Sequence, residues 1–308
     1  MILILSDKSD QHADRVELIL QKNAAEYSRL NLDLDSAKST QVRIEDDSFR
    51  IEAPNCSFST SQIEAVWNRS AHAEQLRENL SHDDSNYMLW RETWSKTLEG
   101  LFSSLESTKW LNLYDDFYKG NEFSQFLISK NIGLKWPSFI CSNDINYLNI
   151  FFETKKERLL ELMDQGCVNK PGELCFGKCS DRIGITSPND LSDNTCPCKN
   201  TTYLVRCSVV GKEYFVGKIR AEINEEGKII ETKSNFFTEI HPPKLVKTKA
   251  IQIMNELNLT FGVFDFMVSD KGGWLFDALN PIGQYKWVED FKDTDISSSI
   301  AKWLMMNN

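Results

Sequence analysis

The sequence predicts an α/β protein arranged in lobes. Three observations predict it: a strand-helix-strand opening, a long amphipathic helix near residue 95, and two hairpin-like pairs of apolar runs in the last third. Ile2 to Leu5 is a short β-rich run. After polar Ser6 to Gln11, residues Ala13, Val16, Leu18, Ile19 and Leu20 fall at helical spacing. Tyr27 to Leu34 reads as a second strand, and Val42 to Ile51 and Ala65 to Arg69 as further strands. Met88, Leu89, Trp94, Leu98, Leu101, Phe102 and Leu105 give a helix over Tyr87 to Leu105. Trp110-Leu111-Asn112 enters a turn, and Asn121 to Asn131 is a second helix stopped by Gly133 and Pro137.

Ile145 to Met163 reads as another helix and Cys167 to Pro171 as a short strand ending in Lys170-Pro171. Gly172 to Thr201 is polar and without periodicity, the composition of a mobile lid. Tyr203 to Ile219 is a hairpin turning at Gly211-Lys212-Glu213, Pro243 to Leu257 a helix, and Ile296 to Met305 a terminal helix. Between the last two helices lie the runs FGVFDFMVS and WLFDAL, joined through Ser269 to Gly273 and closed by Asn280-Pro281-Ile282-Gly283-Gln284. Each run carries one carboxylate, Asp265 in the first and Asp277 in the second. A polar group inside an otherwise buried strand needs a partner, and a bound cation is one answer; a structural ion pair of Asp265 with Arg206 is another. Strict alternation puts Asp277 on the face opposite to Ala278, and only a local bulge would change that.

A chain of 308 residues with 41% hydrophobic composition can bury a substantial core. A net charge of −10 without a Lys/Arg cluster argues against nucleic acid as the main partner. No apolar run approaches the roughly 20 residues of a membrane span. The start MILILSDKSD lacks a basic n-region and reads as a first buried strand, so a cytoplasmic protein is expected. The eight cysteines are then expected as thiols or metal ligands instead of disulfides. Cys175, Cys179, Cys196 and Cys198 share one loop-rich region and could supply four thiolates to zinc; the other reading is a lid with reduced thiols. Trp90, Trp94 and Trp110 could line a peptide groove or fill an interlobe core.

The stretch from Gly262 to Tyr285 resembles the metal-binding hairpin of the ATP-grasp ligases. The likeness is greatest to the peptide maturases of microviridin-type and grasp-with-spasm (graspetide) biosynthesis, whose second strand reads Phe-Leu-Glu-Val-Asn-Pro-x-Gly-Gln-aromatic. Val66-Trp67-Asn68-Arg69 is similar to their Val-Trp-Tyr-Arg, and Tyr203 to Ile219 resembles their Arg-x-x-Val-Val-Gly-x-x-x-Phe hairpin, with Arg206 on its Arg. The resemblance implies an ATP-grasp-type fold with an N-terminal pre-ATP-grasp α/β lobe (1–115), a central lobe with the Cys-rich loop (116–201) and a C-terminal metal-binding lobe (202–308). It implies ATP and magnesium as cofactors, with Asp265 and Asn280 on the metal, Lys170 on the phosphates and Arg206 as a catalytic cation. It also implies a precursor peptide, leader and core, as partner, with a homodimer as the assembly to consider. The implied reaction is side-chain ester or amide formation through an acyl phosphate. The chain departs from the pattern at three places. Ala278 stands where the family has its metal-binding Glu, Glu122 where it has a nucleotide-contacting Lys, and Cys196-Pro197-Cys198 on the hinge that receives adenine. Those departures define the alternative, a pseudoenzyme that binds a peptide or partner protein without ATP turnover.

Overall fold

A computed structural model of the chain describes residues 1–45, 47–69, 85–114, 121–136, 139–142, 159–162, 177–180, 201–220, 222–223, 229–230, 241–269, 271–292 and 295–306. The first strand, β1 (Ile2–Ser6), is buried at all five positions, as befits a parallel strand covered on both faces. Asp10 accepts from the backbone N–H groups of His12 and Ala13 and so starts α1 (Gln11–Lys22). The next strand, β2 (Tyr27–Asn31), is shorter than expected, because Asp33 caps a separate helix, α2 (Leu34–Ser39), through the N–H of Ser36. The expected strand over Val42 to Ile51 is a tight reversal between β3 (Gln41–Glu45) and β4 (Ser48–Ala53), with Glu45 opposite Ser48, and β5 (Cys56–Ser59) extends this small meander.

β6 (Ala65–Asn68) returns to pair with β1, α3 (Ser85–Ser104) follows, and β7 (Lys109–Leu111) completes a parallel sheet of order β2-β1-β6-β7. The pleat sends Leu3 and Leu5 to one core with Leu98, Leu101 and Phe102 of α3, and Ile2 and Ile4 to another with Val16 and Leu20 of α1. Trp94 and Trp110 are buried in the α3 core, and Trp90 stacks on Trp94 at 6.3 Å, so these three indoles pack as core.

Helix α4 (Glu122–Asn131) is capped by the Asn121 side chain and ends at Gly133, whose φ of +72° favours glycine. The strands β8 (Phe139–Ser142), β9 (Leu159–Leu162) and β10 (Gly177–Ser180) form an antiparallel sheet of order β8-β10-β9. This corrects two expectations. Leu159–Leu162 is a strand where a helix to Met163 was read, and Gly177–Ser180 is a strand inside the expected loop. Short apolar runs do not reveal their period, and a strand of four residues can hide in a polar stretch. The expected strand at Cys167 to Pro171 lies outside the described residues, as do Lys170, Cys175, Cys196 and Cys198.

The closing sheet begins with β11 (Thr201–Val210) and β12 (Glu213–Arg220), the expected hairpin. A minor pair, β13 (Glu222–Ile223) and β14 (Ile229–Ile230), precedes α5 (Lys244–Glu256). Then come β15 (Phe261–Ser269) and β16 (Trp274–Asn280), giving an antiparallel order β12-β11-β15-β16 with β16 at the edge. Val246, Ala250, Ile253 and Met254 of α5 cover one face of it with Phe264, Phe266 and Phe276. After a short α6 (Lys286–Lys292), α7 (Ile296–Met305) crosses back onto the first sheet, where Ile296, Ile300, Ala301 and Leu304 join Ile2, Ile4 and Trp67. Among the described residues no helix is long and apolar enough to cross a membrane.

Candidate functional site

The exposed features of the closing sheet follow from its pleat. Along β15, Phe264, Phe266 and Val268 pack toward α5, whereas Phe261 and Val263 turn the other way into the core shared with the first sheet. Asp265 shares the second direction by alternation. Arg206 on β11 lies directly opposite it in register. Its Nε donates to Asp265 Oδ1 at 2.7 Å and one terminal nitrogen to Oδ2 at 2.8 Å, a two-point pair. The other terminal nitrogen donates to the Gln284 carbonyl at 3.1 Å. Burial works against the guanidinium charge, but the hydrogen bonds and charge of Asp265 outweigh it and push the Arg206 pKa up.

β16 does not alternate strictly. Ala278 stands opposite Asp265, yet the next pair is Phe266 with Phe276, which leaves Asp277 as an extra residue in a β-bulge. Phe276 and Leu279 both pack in the α5 core although they are three residues apart. Asp277 and Ala278 between them therefore both turn to the Asp265 side, which corrects the expectation that Asp277 faces away. Asp277 is buried, Ala278 half-buried and Asn280, opposite Val263 on the same side, exposed. Asn280 Oδ1 accepts from the Ile282 N–H at 2.9 Å and the Asn280 carbonyl from Gly283, so the side chain organises the turn it begins. A Cβ at Gly283 would collide with Val263, so only glycine lets this turn sit on the sheet.

Three side chains hold that turn from outside. Asn112, left-handed at φ +60°, donates to the carbonyls of Phe261 and Pro281 at 2.8 and 3.0 Å and accepts from the N–H groups of Thr260 and Phe261. Arg69 pairs with Asp10 and donates to the Ile282 carbonyl at 2.7 Å. Arg206 takes the Gln284 carbonyl. Tyr285 is fully buried, packs on His12 at 4.5 Å between ring centroids and meets Ser297, so it fixes the turn. Gln284 is exposed. Burial first, then the charge of Arg69, pulls the His12 pKa down to about 4. Burial opposes ionisation of Asp10 too, but the charge and hydrogen bonds of Arg69 win and lower its pKa.

Of the residues singled out from sequence, Arg206, Asp265 and Asn280 come together on one side of the sheet. Glu122 is the first residue of α4, the helix whose Gln125 donates to the Leu279 carbonyl at 2.7 Å and accepts from its N–H at 2.9 Å, so that helix does abut the hairpin. Cys179 lies on β10 between Ile140 and Leu160. Among the described residues no group of three or more His, Cys, Asp or Glu side chains converges on a point. Gln125 and Asn112 carry no site signal in the sequence, and Asp277 enters the site only on condition of the bulge. Buried Gln125 and Ser129, four apart on α4, form a polar stripe on its inner side, which is the one signal that could have flagged the helix.

Residues 1–117 match the family described as the MvdD pre-ATP grasp domain. No curated protein sequence matches the chain. Among solved structures, the macrocyclase MdnB from Microcystis aeruginosa MRC superposes at a TM-score of 0.69 with 21% identity, covering 99% of each chain. The macrocyclase MdnC from the same organism, bound with its precursor peptide MdnA, gives 0.79 with 16% identity over 100% of each chain. A Chryseobacterium gregarium RiPP-associated ATP-grasp ligase, in complex with ADP and a leader and core peptide, gives 0.71 with 19% identity over 98% of this chain and 96% of that one. The chain thus has the ATP-grasp fold of these structures from end to end, and its first 117 residues are similar to the MvdD pre-ATP grasp domain.

Proposed function

We propose that the chain is an ATP-dependent peptide ligase that joins side chains within a ribosomally made precursor peptide. The observation that carries this reading is the grouping of Arg206, Asp265 and Asn280 on one side of the closing sheet, within a fold shared over its whole length with peptide macrocyclases. The similar ligase from Chryseobacterium gregarium holds ADP and a leader and core peptide, which supports ATP as cosubstrate and a peptide as partner here. The donor set fits magnesium. Asp265 and Asn280 offer hard oxygens, and beyond Arg206 and the Ile282 N–H each of those oxygens keeps a second lone pair. Bound magnesium-ATP would supply the phosphoryl group that activates a carboxylate. Asp265 and Asn280 would hold the cation and Lys170 the phosphates. Arg206, kept charged and oriented by Asp265, would face the developing negative charge in a fixed position, the arrangement that costs no reorganisation when charge moves.

A second reading, a peptide-binding protein without ATP turnover, is favoured by Ala278, which stands opposite Asp265 without a ligating group. Calorimetric titration of magnesium-ATP separates the two. Micromolar binding, followed by loss of water from a precursor peptide rich in Asp, Glu, Ser, Thr or Lys, is the expected result. No binding up to millimolar concentration would abandon the ligase reading for the second one.

A further inference from the structure

The loss of a carboxylate at Ala278 and the bulge at Asp277 are adjacent, and the outer edge of β16 shows how the bulge is held. In a regular strand the N–H groups that point to one edge recur every second residue. On the outer edge of β16 they recur after three. The Phe276 N–H donates to the Lys135 carbonyl at 2.7 Å, and the Leu279 N–H donates to Gln125 Oε1 at 2.9 Å. Gln125 Nε2 closes the second contact on the Leu279 carbonyl at 2.7 Å. The side-chain amide, 3% exposed, therefore stands in for a neighbouring strand and pairs with both backbone groups of one residue. It can do so only while the extra residue is present. Without the bulge the outward groups would be those of Phe276 and Ala278, and Leu279 would turn from the α5 core to the Asp265 side. Gly262 records the same register, since a Cβ there would meet Leu279 Cδ1 at 2.6 Å.

We propose that Gln125 is a positioning residue, and that by pinning the bulge it makes Asp277 the second cation-binding carboxylate in place of Ala278. The proposal rests on the ligase reading above. The resulting donors, Asp265, Asp277 and Asn280, are carboxylate, carboxylate and carboxamide, a hard oxygen set that suits a small divalent cation. The polar interior of α4 then has a purpose in the site, through the strand it holds.

The test uses the full chain with ADP and Mn2+ as a spectroscopic stand-in for magnesium. Free Mn2+ is read by electron paramagnetic resonance in the wild type, Asp277→Asn, Gln125→Met and the double variant. Asp277→Asn should weaken Mn2+ binding by about tenfold or more, and Gln125→Met by about tenfold, the cost usual for removing a residue that orients a ligand. The double variant should bind no more weakly than Asp277→Asn alone, because Gln125 acts through Asp277. Independent, additive losses would overturn the positioning role, and an unchanged affinity in Asp277→Asn would overturn the ligand assignment. Amide hydrogen exchange reads the pin without any ligand: Leu279 N–H should be slow in the wild type and fast in Gln125→Met. Equal protection in both would sink the pin itself. A wild type that takes up no Mn2+ with ADP, with Leu279 protected as expected, would overturn the ligase reading and the cation role of Asp277 while upholding the pin.

Discussion

Two arginines reach the turn after β16, and each is paired with an aspartate, yet the pairs occupy different surroundings. Arg69 and Asp10 are 6% and 7% exposed, and Asp10 also accepts from Ser6, His12 and Ala13. Arg206 and Asp265 are 27% and 32% exposed. The first pair is enclosed by the α1 end of the N-terminal sheet and spends its guanidinium on the Ile282 carbonyl. The second has the better two-point geometry but opens to solvent beside Asn280. A closed pair fixes structure, because removing one partner strands a buried charge. An open one contributes little to folding and leaves room for a ligand. One turn is thus gripped from its structural side by Arg69 and from its open side by Arg206.

Breaking the closed pair is the severest test of that contrast. Arg69→Met leaves Asp10 buried without its cation and releases the Ile282 carbonyl, and should destabilise the fold by about 3–5 kcal/mol in denaturant titration. A loss below about 1 kcal/mol would mean the pair is no more structural than the open one. The open pair should show the reverse balance. Asp265→Asn should cost about 1 kcal/mol or less in stability, yet abolish any rise in melting temperature on adding magnesium-ATP. Retained nucleotide stabilisation would remove Asp265 from the site.

The smallest expected effect concerns acid. His12 sits between Asp10 and Tyr285, and its folded pKa of about 4 lies below the ordinary 6.5. Arg69 and Lys286 help keep it neutral, while Asp10 and Asp290 oppose them. Between those two values the unfolded chain binds more protons, so stability from a neutral His12 is complete above about pH 6.5 and falls as pH drops toward 4. His12→Gln should flatten that part of the stability curve, read as melting temperature against pH. An unaltered slope would show that His12 does not titrate across the closed side of the turn.

Much of the fold was legible because its signals are local. Ile2 to Leu5 gave the buried strand, the apolar spacing from Met88 to Leu105 the helix α3, and Gly133 the end of α4. Errors fell where a short segment had no period of its own: Leu34–Ser39 hid behind the end of β2, and Leu159–Leu162 behind an apparent helix. Within the site, Arg206 and Asp265 could be named as partners because both interrupt apolar strands, a state that demands compensation. Gln125 could not, since its partner is the backbone of Leu279, 154 positions away, and backbone groups carry no sequence signal.

By itself the sequence determined the buried first strand, the long helix α3 and the end of α4, and that two carboxylates interrupt the last hairpin. Tertiary structure alone decided which way Asp277 points. Side chains in a strand change sides at every residue, so one inserted residue reverses the facing of all that follow. Nothing local to FDALN reveals that insertion. It exists because Phe276 and Leu279 must both enter the α5 core, and because Gln125 and the Lys135 carbonyl meet the strand edge at three-residue spacing.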